Sequence, residues 1–193
     1  MAAQTRESLL DAAAQLIKAG QPVKLSEVAA LAGVSRQTLY NEFGSRDRLL
    51  EALSLRVGQR VLAESVRAAR EAPGDVGDAV RASTIVGLRA ATTDPLVKAG
   101  LLGPSAELLP FVTTSSGALL DLFRDACAAV LLERWPRLDP VETRWAMEMG
   151  FRLSLSHLVL PTEPIEVTAA HTAIVMRRLL GPTDPQETGK QSN

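Results

Sequence analysis

A chain of 193 residues with 46% hydrophobic but only 4% aromatic content can form one large domain, or a small and a medium one, around a core of Leu, Val and Ala. Its net charge is −1, and residues 1–56 reach only +1 from seven Lys/Arg and six Asp/Glu, which excludes nucleic-acid binding driven by a general positive field. Any DNA affinity must come from a few well-placed cations and helix N-termini. Cys127 is the single cysteine, so an intrachain disulfide is excluded and a reducing compartment is indicated. Charged residues interrupt every apolar stretch short of the ~18 residues a membrane span needs. The N-terminus lacks a secretory pattern, so a soluble, cytoplasmic protein is expected. Abundant Ala, Leu, Arg and Glu point to an all-α fold.

Leu9, Ala13, Leu16 and Ile17 recur at helical spacing until Gly20 and Pro22 end the helix. Leu25, Val28, Ala29 and Ala32 give a second helix, ended by Gly33. A third runs from Ser35 to Phe43 and ends at Gly44. A long fourth, from about Arg46 to Glu71, carries Leu49, Leu53, Val57 and Val61 on one stripe, and Pro73-Gly74 breaks it. Val76–Ala91 is the next helix, followed by short pieces at Pro95–Leu102 and Ser105–Phe111. Long helices are predicted from Ser115 to about Trp135, from Asp139 to about Val159, and from Ile165 to Leu180. About nine helices are expected in all, and the polar tail 182–193 is expected to be disordered. The domain reading is 1–47 for a helix-turn-helix unit, 48–181 for a sensing and dimerisation domain, then the tail. Only Gly44-Ser45 separates the third helix from the fourth, a near-rigid junction.

Residues 25–43 carry the functional reading. Three short helices with a Gly-containing turn between the second and third form a helix-turn-helix. Ala29 is small where helices cross, Gly33 suits a positive φ, Val34 plugs the turn, and Ser35 suits the cap of the third helix. With Leu39 and Phe43 inward, Arg36, Gln37, Tyr40 and Asn41 project outward at spacings of four. Arg can donate twice to guanine, and Gln and Asn pair with adenine. Tyr40, Ser35 and Thr38 suit phosphate oxygens. Any one of these alone reads better as a solvated helix face; the combination of turn, cap and exposed hydrogen-bonding groups favours a recognition helix.

Residues 25–53, LSEVAALAGVSRQTLYNEFGSRDRLLEAL, closely resemble the DNA-binding signature of TetR-family regulators. The matching positions are Val28-Ala29, Ala32-Gly33-Val34-Ser35, Thr38-Leu39-Tyr40, Phe43, Ser45-Arg46 and Leu49. The signature covers about a quarter of the chain; the rest agrees in size and helix count. The resemblance implies a ligand-responsive repressor, not an enzyme, with a homodimer interface formed by the last two long helices. Three features depart from the pattern. Lys24 stands where a Thr commonly opens the second helix, which leaves Ser26 to cap it and Lys24 to contact phosphate. Asn41-Glu42 follows Tyr40 in place of aromatic residues or His; Glu42 is open to accepting from cytosine, bracing Arg46 or Arg36, or pointing away, with bracing favoured. Arg46 replaces the commoner Lys, keeping a phosphate-binding cation at a helix start. The DNA contacts expected are therefore Lys24, Ser26, Ser35, Arg36, Gln37, Thr38, Tyr40, Asn41 and Arg46. A dimer would set two recognition helices about 34–36 Å apart, matching a pseudo-palindromic operator.

The later helices are rich in aliphatic residues, which suggests a lipophilic, fatty-acid-like effector. Leu88, Leu101, Leu102, Leu109, Phe111, Leu119, Phe123, Cys127, Trp145 and Met149 are candidate pocket residues, although ordinary core is the more frequent explanation for each. Thr113–Ser116 could supply polar anchors. Residues 33–47 also bear a slighter similarity to regulators of lipid or alkane metabolism. His157 and His171 lie far apart with no ligand at metal spacing, and neither a phosphate loop nor a nucleophile elbow is found, so no metal, cofactor or catalytic site is expected. A helical enzyme lacks a catalytic constellation here, and an architectural DNA binder would not need the large apolar C-terminal part.

Overall fold

A computed structural model of the chain describes residues 2–115 and 117–181. Among the described residues it has ten helices: α1 (Ala2–Lys18), α2 (Leu25–Leu31), α3 (Arg36–Phe43), α4 (Arg46–Glu71), α5 (Val76–Thr93), α6 (Pro95–Leu102), α7 (Leu109–Thr113), α8 (Gly117–Arg134), α9 (Pro140–Val159) and α10 (Ile165–Leu180). No strand occurs among the described residues. The fold is all-α as expected, with ten helices among the described residues against about nine expected. One short helix is displaced: the chain turns at Ala106, whose φ is +42°, and becomes helical only at Leu109 rather than Ser105. Pro110 then sits in the first turn of α7, where its missing N–H leaves no gap in the helical ladder. The tail 182–193 and Ser116 lie outside the described residues.

The helix starts follow from local chemistry. In both Asp94-Pro95 and Asp139-Pro140 the carboxylate accepts from two backbone N–H groups of the first turn, while proline occupies the first helical position. At α3, the Ser35 hydroxyl accepts from the Thr38 N–H at 3.0 Å.

The described residues fall into two compact units. The first comprises 2–58 and 91–119, the second 59–90 and 120–181. In the first, α1 packs on α2 and α6, and α2 packs on α3. Its interior is aliphatic: Leu9, Ala13, Leu16 and Ile17 from α1, Val28 and Ala29 from α2, Leu39 and Phe43 from α3, and Leu49, Leu50 and Leu53 from α4 are all buried. Burying each large aliphatic side chain contributes about 1.5–3 kcal/mol, so this small unit draws its stability from close packing.

The second unit is centred on Trp135, with Val76, Val80, Leu131, Ala146, Met147 and Met176 around it. Arg134 stacks its guanidinium 4.4 Å above the Trp135 ring and donates to the carbonyls of Ala69 and Ala72, satisfying the open end of α4. At the start of α5, Asp75 takes two hydrogen bonds from Arg177 of α10, at 2.6 and 2.7 Å. α9 and α10 pack together and leave an exposed apolar row of Val141, Trp145, Leu153, Val167, Ile174 and Leu179.

Candidate nucleic-acid interface

The turn between α2 and α3 is built as its residues require. Gly33 has φ +69°, and a Cβ there would meet nothing within 4 Å. The demand for glycine therefore comes from the backbone conformation alone, since a side chain would have ample room. The Val34 N–H donates to the Ala29 carbonyl and the Gly33 N–H to that of Ala30, closing α2. The start of α2 differs from expectation. Lys24 occupies the N-cap position with extended backbone and no side-chain cap, whereas Ser26 lies inside the first turn and does not cap the helix. Lys24 itself pairs with Glu27 at 3.1 Å and remains largely exposed.

On α3, buried Leu39 and Phe43 fix the rotation of the helix. Arg36, Gln37, Tyr40 and Asn41 are consequently exposed, Tyr40 at 50%. Among the described residues Arg36 has no hydrogen-bond or ion-pair partner. Two pairs are already arranged on this face. The Ser35 and Thr38 hydroxyls lie 2.8 Å apart, and Gln37 Nε2 donates to Asn41 Oδ1 at 2.9 Å. Glu42 does brace, but its partner is Arg6 of α1, at 2.9 Å, in place of Arg36 or Arg46. Arg6 also lies 4.6 Å over the Phe43 ring, so one guanidinium holds both the polar and the apolar inner edge of α3.

Arg46 begins α4 but does not stand free. Its Nε donates to the Val23 carbonyl at 2.9 Å, and its Nη2 pairs with Glu107. Arg6 and Glu107 escaped sequence reasoning. Their partners are 36 and 61 residues away, beyond any local pattern.

The candidate pocket residues separate. In the first unit Leu101 and Leu119 are buried, Leu109 and Phe111 half-buried, and Leu102 is 42% exposed. Phe111 borders an open cleft of about 410 Å³ whose lining also includes Arg46, Asp47, Arg48, Glu51 and Glu107. In the second unit Leu88 is buried, Cys127 and Met149 are half-buried, and Phe123 stacks on Phe151 at 4.9 Å. Trp145 is 55% exposed and belongs to the apolar row of α9, not to an interior lining. Burial pushes the Cys127 thiol up to about 11 despite a hydrogen bond with Ser83. No group of three or more metal-ligating side chains comes together among the described residues, and His171 instead meets Glu163 at 3.0 Å. No helix among them is long and apolar enough to cross a membrane.

Residues 9–53, the segment that holds this helix-turn-helix, match the family model of bacterial regulatory proteins of the tetR family, and residues 75–178 match that of the bacterial tetracyclin repressor C-terminal domain. The chain belongs to the TetR family. Like other TetR-family regulators it is a DNA-binding regulator of transcription and not an enzyme. It is 33% identical over 175 residues to the HTH-type transcriptional regulator AlkX of Mycobacterium tuberculosis, covering 87% of this chain and 81% of that one. Among solved structures it is similar to the TetR-family repressor AlkX from a Dietzia species, which is implicated in biodegradation of n-alkanes. There the TM-score is 0.71 at 29% identity, over 90% of this chain and 94% of that one. The transcriptional repressor QsdR of R. erythropolis shares the fold, with a TM-score of 0.68 at 21% identity, over 93% of this chain and 95% of that one.

Proposed function

We propose that this TetR-family regulator is a homodimeric repressor that binds a pseudo-palindromic operator through α3 and is released by a small lipophilic effector. The exposed hydrogen-bonding face of α3 carries the reading: Arg36, Gln37 and Asn41 for base edges, Ser35, Thr38 and Tyr40 for phosphates, with Lys24, Ser26 and Arg46 at the flanks. In this reading residues 1–47 form the DNA-binding part, and 48–181 the part that senses and dimerises in the cytoplasm. The exposed apolar row of α9 and α10 is the dimer face, since self-association would remove Trp145, Val141 and Ile174 from water. The effector would be an extended alkyl compound such as a fatty acid, met by Leu88, Phe123, Cys127 and Met149, and the regulated genes would act on similar molecules. The similarity to AlkX regulators, one of them implicated in n-alkane biodegradation, supports that choice.

Selection of binding sites from a randomised duplex pool tests the reading. The expected product is an inverted repeat whose half-sites lie about one helical turn apart. A fatty acid should then lower affinity for the selected duplex. Failure to enrich any sequence would refute operator binding, and a duplex affinity indifferent to C12–C18 acids would refute the effector class.

A further inference from the structure

We infer that Glu107 is a positioning residue for DNA binding, a carboxylate that fixes both ends of the helix-turn-helix and so sets where α3 lies. The inference rests on the DNA-binding reading above. Glu107 Oε1 accepts from the backbone N–H of Val23 at 3.3 Å, and Oε2 accepts from the Arg46 guanidinium. Arg46 Nε closes the triangle by donating to the Val23 carbonyl at 2.9 Å. Val23 is the residue just before the N-cap of α2, and Arg46 is the first residue of α4. Everything between them is α2, the turn, α3 and the two-residue Gly44-Ser45 connection. One carboxylate thus grips the segment where it begins and where it ends. Its side chain is only 9% exposed, so it is largely removed from competing water and depends on these partners for solvation.

The loop that carries Glu107 is itself tightly held. Ala106 has φ +42°, the left-handed region that a residue with a Cβ occupies only where its surroundings impose it. On the other side, the Leu108 N–H donates to the Gly100 carbonyl at 2.8 Å. The Leu108 side chain fills the space a Cβ on Gly100 would need, with Cδ1 2.6 Å from that position. Glu107 is therefore fastened to α6, and α6 packs on α1. Glu107 lies in the span of the C-terminal family model, whereas Val23 and Arg46 lie in that of the N-terminal one. A rearrangement of α6 and α7 would act on the recognition helix through this triangle.

The test uses the full-length protein and two duplexes of equal length, one bearing the site it selects from a randomised pool and one scrambled. Glu107→Gln keeps the size of the side chain but turns one acceptor into an N–H donor facing Val23 or Arg46, which opens the triangle. The ratio of selected to scrambled affinity should fall about tenfold, inside the range usual for coupling between sites. Scrambled-duplex affinity should hold or rise, because a negative charge has gone. Amide hydrogen exchange at residues 23–28 should quicken. If Glu107 served folding alone, both affinities would fall by one common factor, and if it acted by charge alone, both would rise together; either result overturns the inference. Glu107→Asp keeps the charge but withdraws it by one methylene, and should lower the ratio less. It decides the matter if the glutamine variant does not fold. If the parent protein selects no site at all, the DNA-binding reading is what fails, and unchanged exchange at residues 23–28 in the variants would still overturn the grip assigned to Glu107.

Discussion

Gly77 and Arg177 give the sharpest stability test. A Cβ on Gly77 would lie 2.5 Å from Arg177 Cζ and 2.6 Å from its Nη2. The guanidinium is the far end of a flexible side chain and can swing away, so Gly77→Ala costs the interaction that holds it there, without a lasting clash. That interaction is the two-pronged pair with Asp75, which also caps α5 by accepting from the N–H groups of Gly77 and Asp78. A half-exposed bidentate pair contributes about 1–2 kcal/mol after solvent screening. Alanine regains at most about 0.5–1 kcal/mol from helix propensity, and less in a first turn. The net loss should be about 1 kcal/mol, or roughly 2–4 °C in Tm for a chain of this size. In an Arg177→Ala background the Cβ meets no guanidinium, so the same substitution should become neutral or stabilising. Calorimetric melting of the four proteins at one fixed protomer concentration reads the cycle. A Gly77→Ala protein as stable as its parent, or a loss of the same size in both backgrounds, would refute the argument.

Arg36→Ala should lose operator discrimination by roughly 1–3 kcal/mol while staying folded and dimeric, as read by competition between selected and scrambled duplexes. The hydrogen bond from Arg177 holds the Asp75 carboxyl below its usual range, so its stabilising contribution is complete above the unfolded value of about 3.9 and is lost as pH falls through the lower folded value. Denaturant midpoints taken from pH 5 downward should therefore drop more steeply for the parent than for Asp75→Asn; parallel curves would contradict this. Cys127, with its thiol pushed up to about 11, should react with a disulfide reagent at pH 8 about two orders of magnitude more slowly than a free thiol, and reach the ordinary rate only on unfolding.

What sequence reasoning reached is what is local. Gly33 and Ser35 each act within three residues, through a backbone angle or a first-turn N–H, so spacing alone identifies them. The outward face of α3 followed because two buried residues, Leu39 and Phe43, fix its rotation. Ser26 was misplaced because the cap of α2 is the extended Lys24 one position before the helix, and its side chain makes no cap. Trp145 was read as interior because apolar residues occur all around α9, so periodicity cannot tell its core side from its exposed one. The helix expected from Ser105 failed on a conformation at Ala106 that no residue-type preference announces. Glu107 was out of reach for another reason: its meaning lies wholly in partners brought close by the packing of α6 on α1.

The hydrogen bond between Gln37 and Asn41 has a bearing on how such a regulator could change its target. One amide spends an N–H and the other a carbonyl lone pair, so in the proposed DNA complex the two side chains would offer the groove a joint pattern, led by the free carbonyl of Gln37 and the two N–H donors of Asn41. Replacing either residue alone would release the other to rotate, blurring what both present. New operator preferences in this lineage should therefore arise by paired exchanges at positions 37 and 41, with single substitutions passing through a permissive, less selective intermediate.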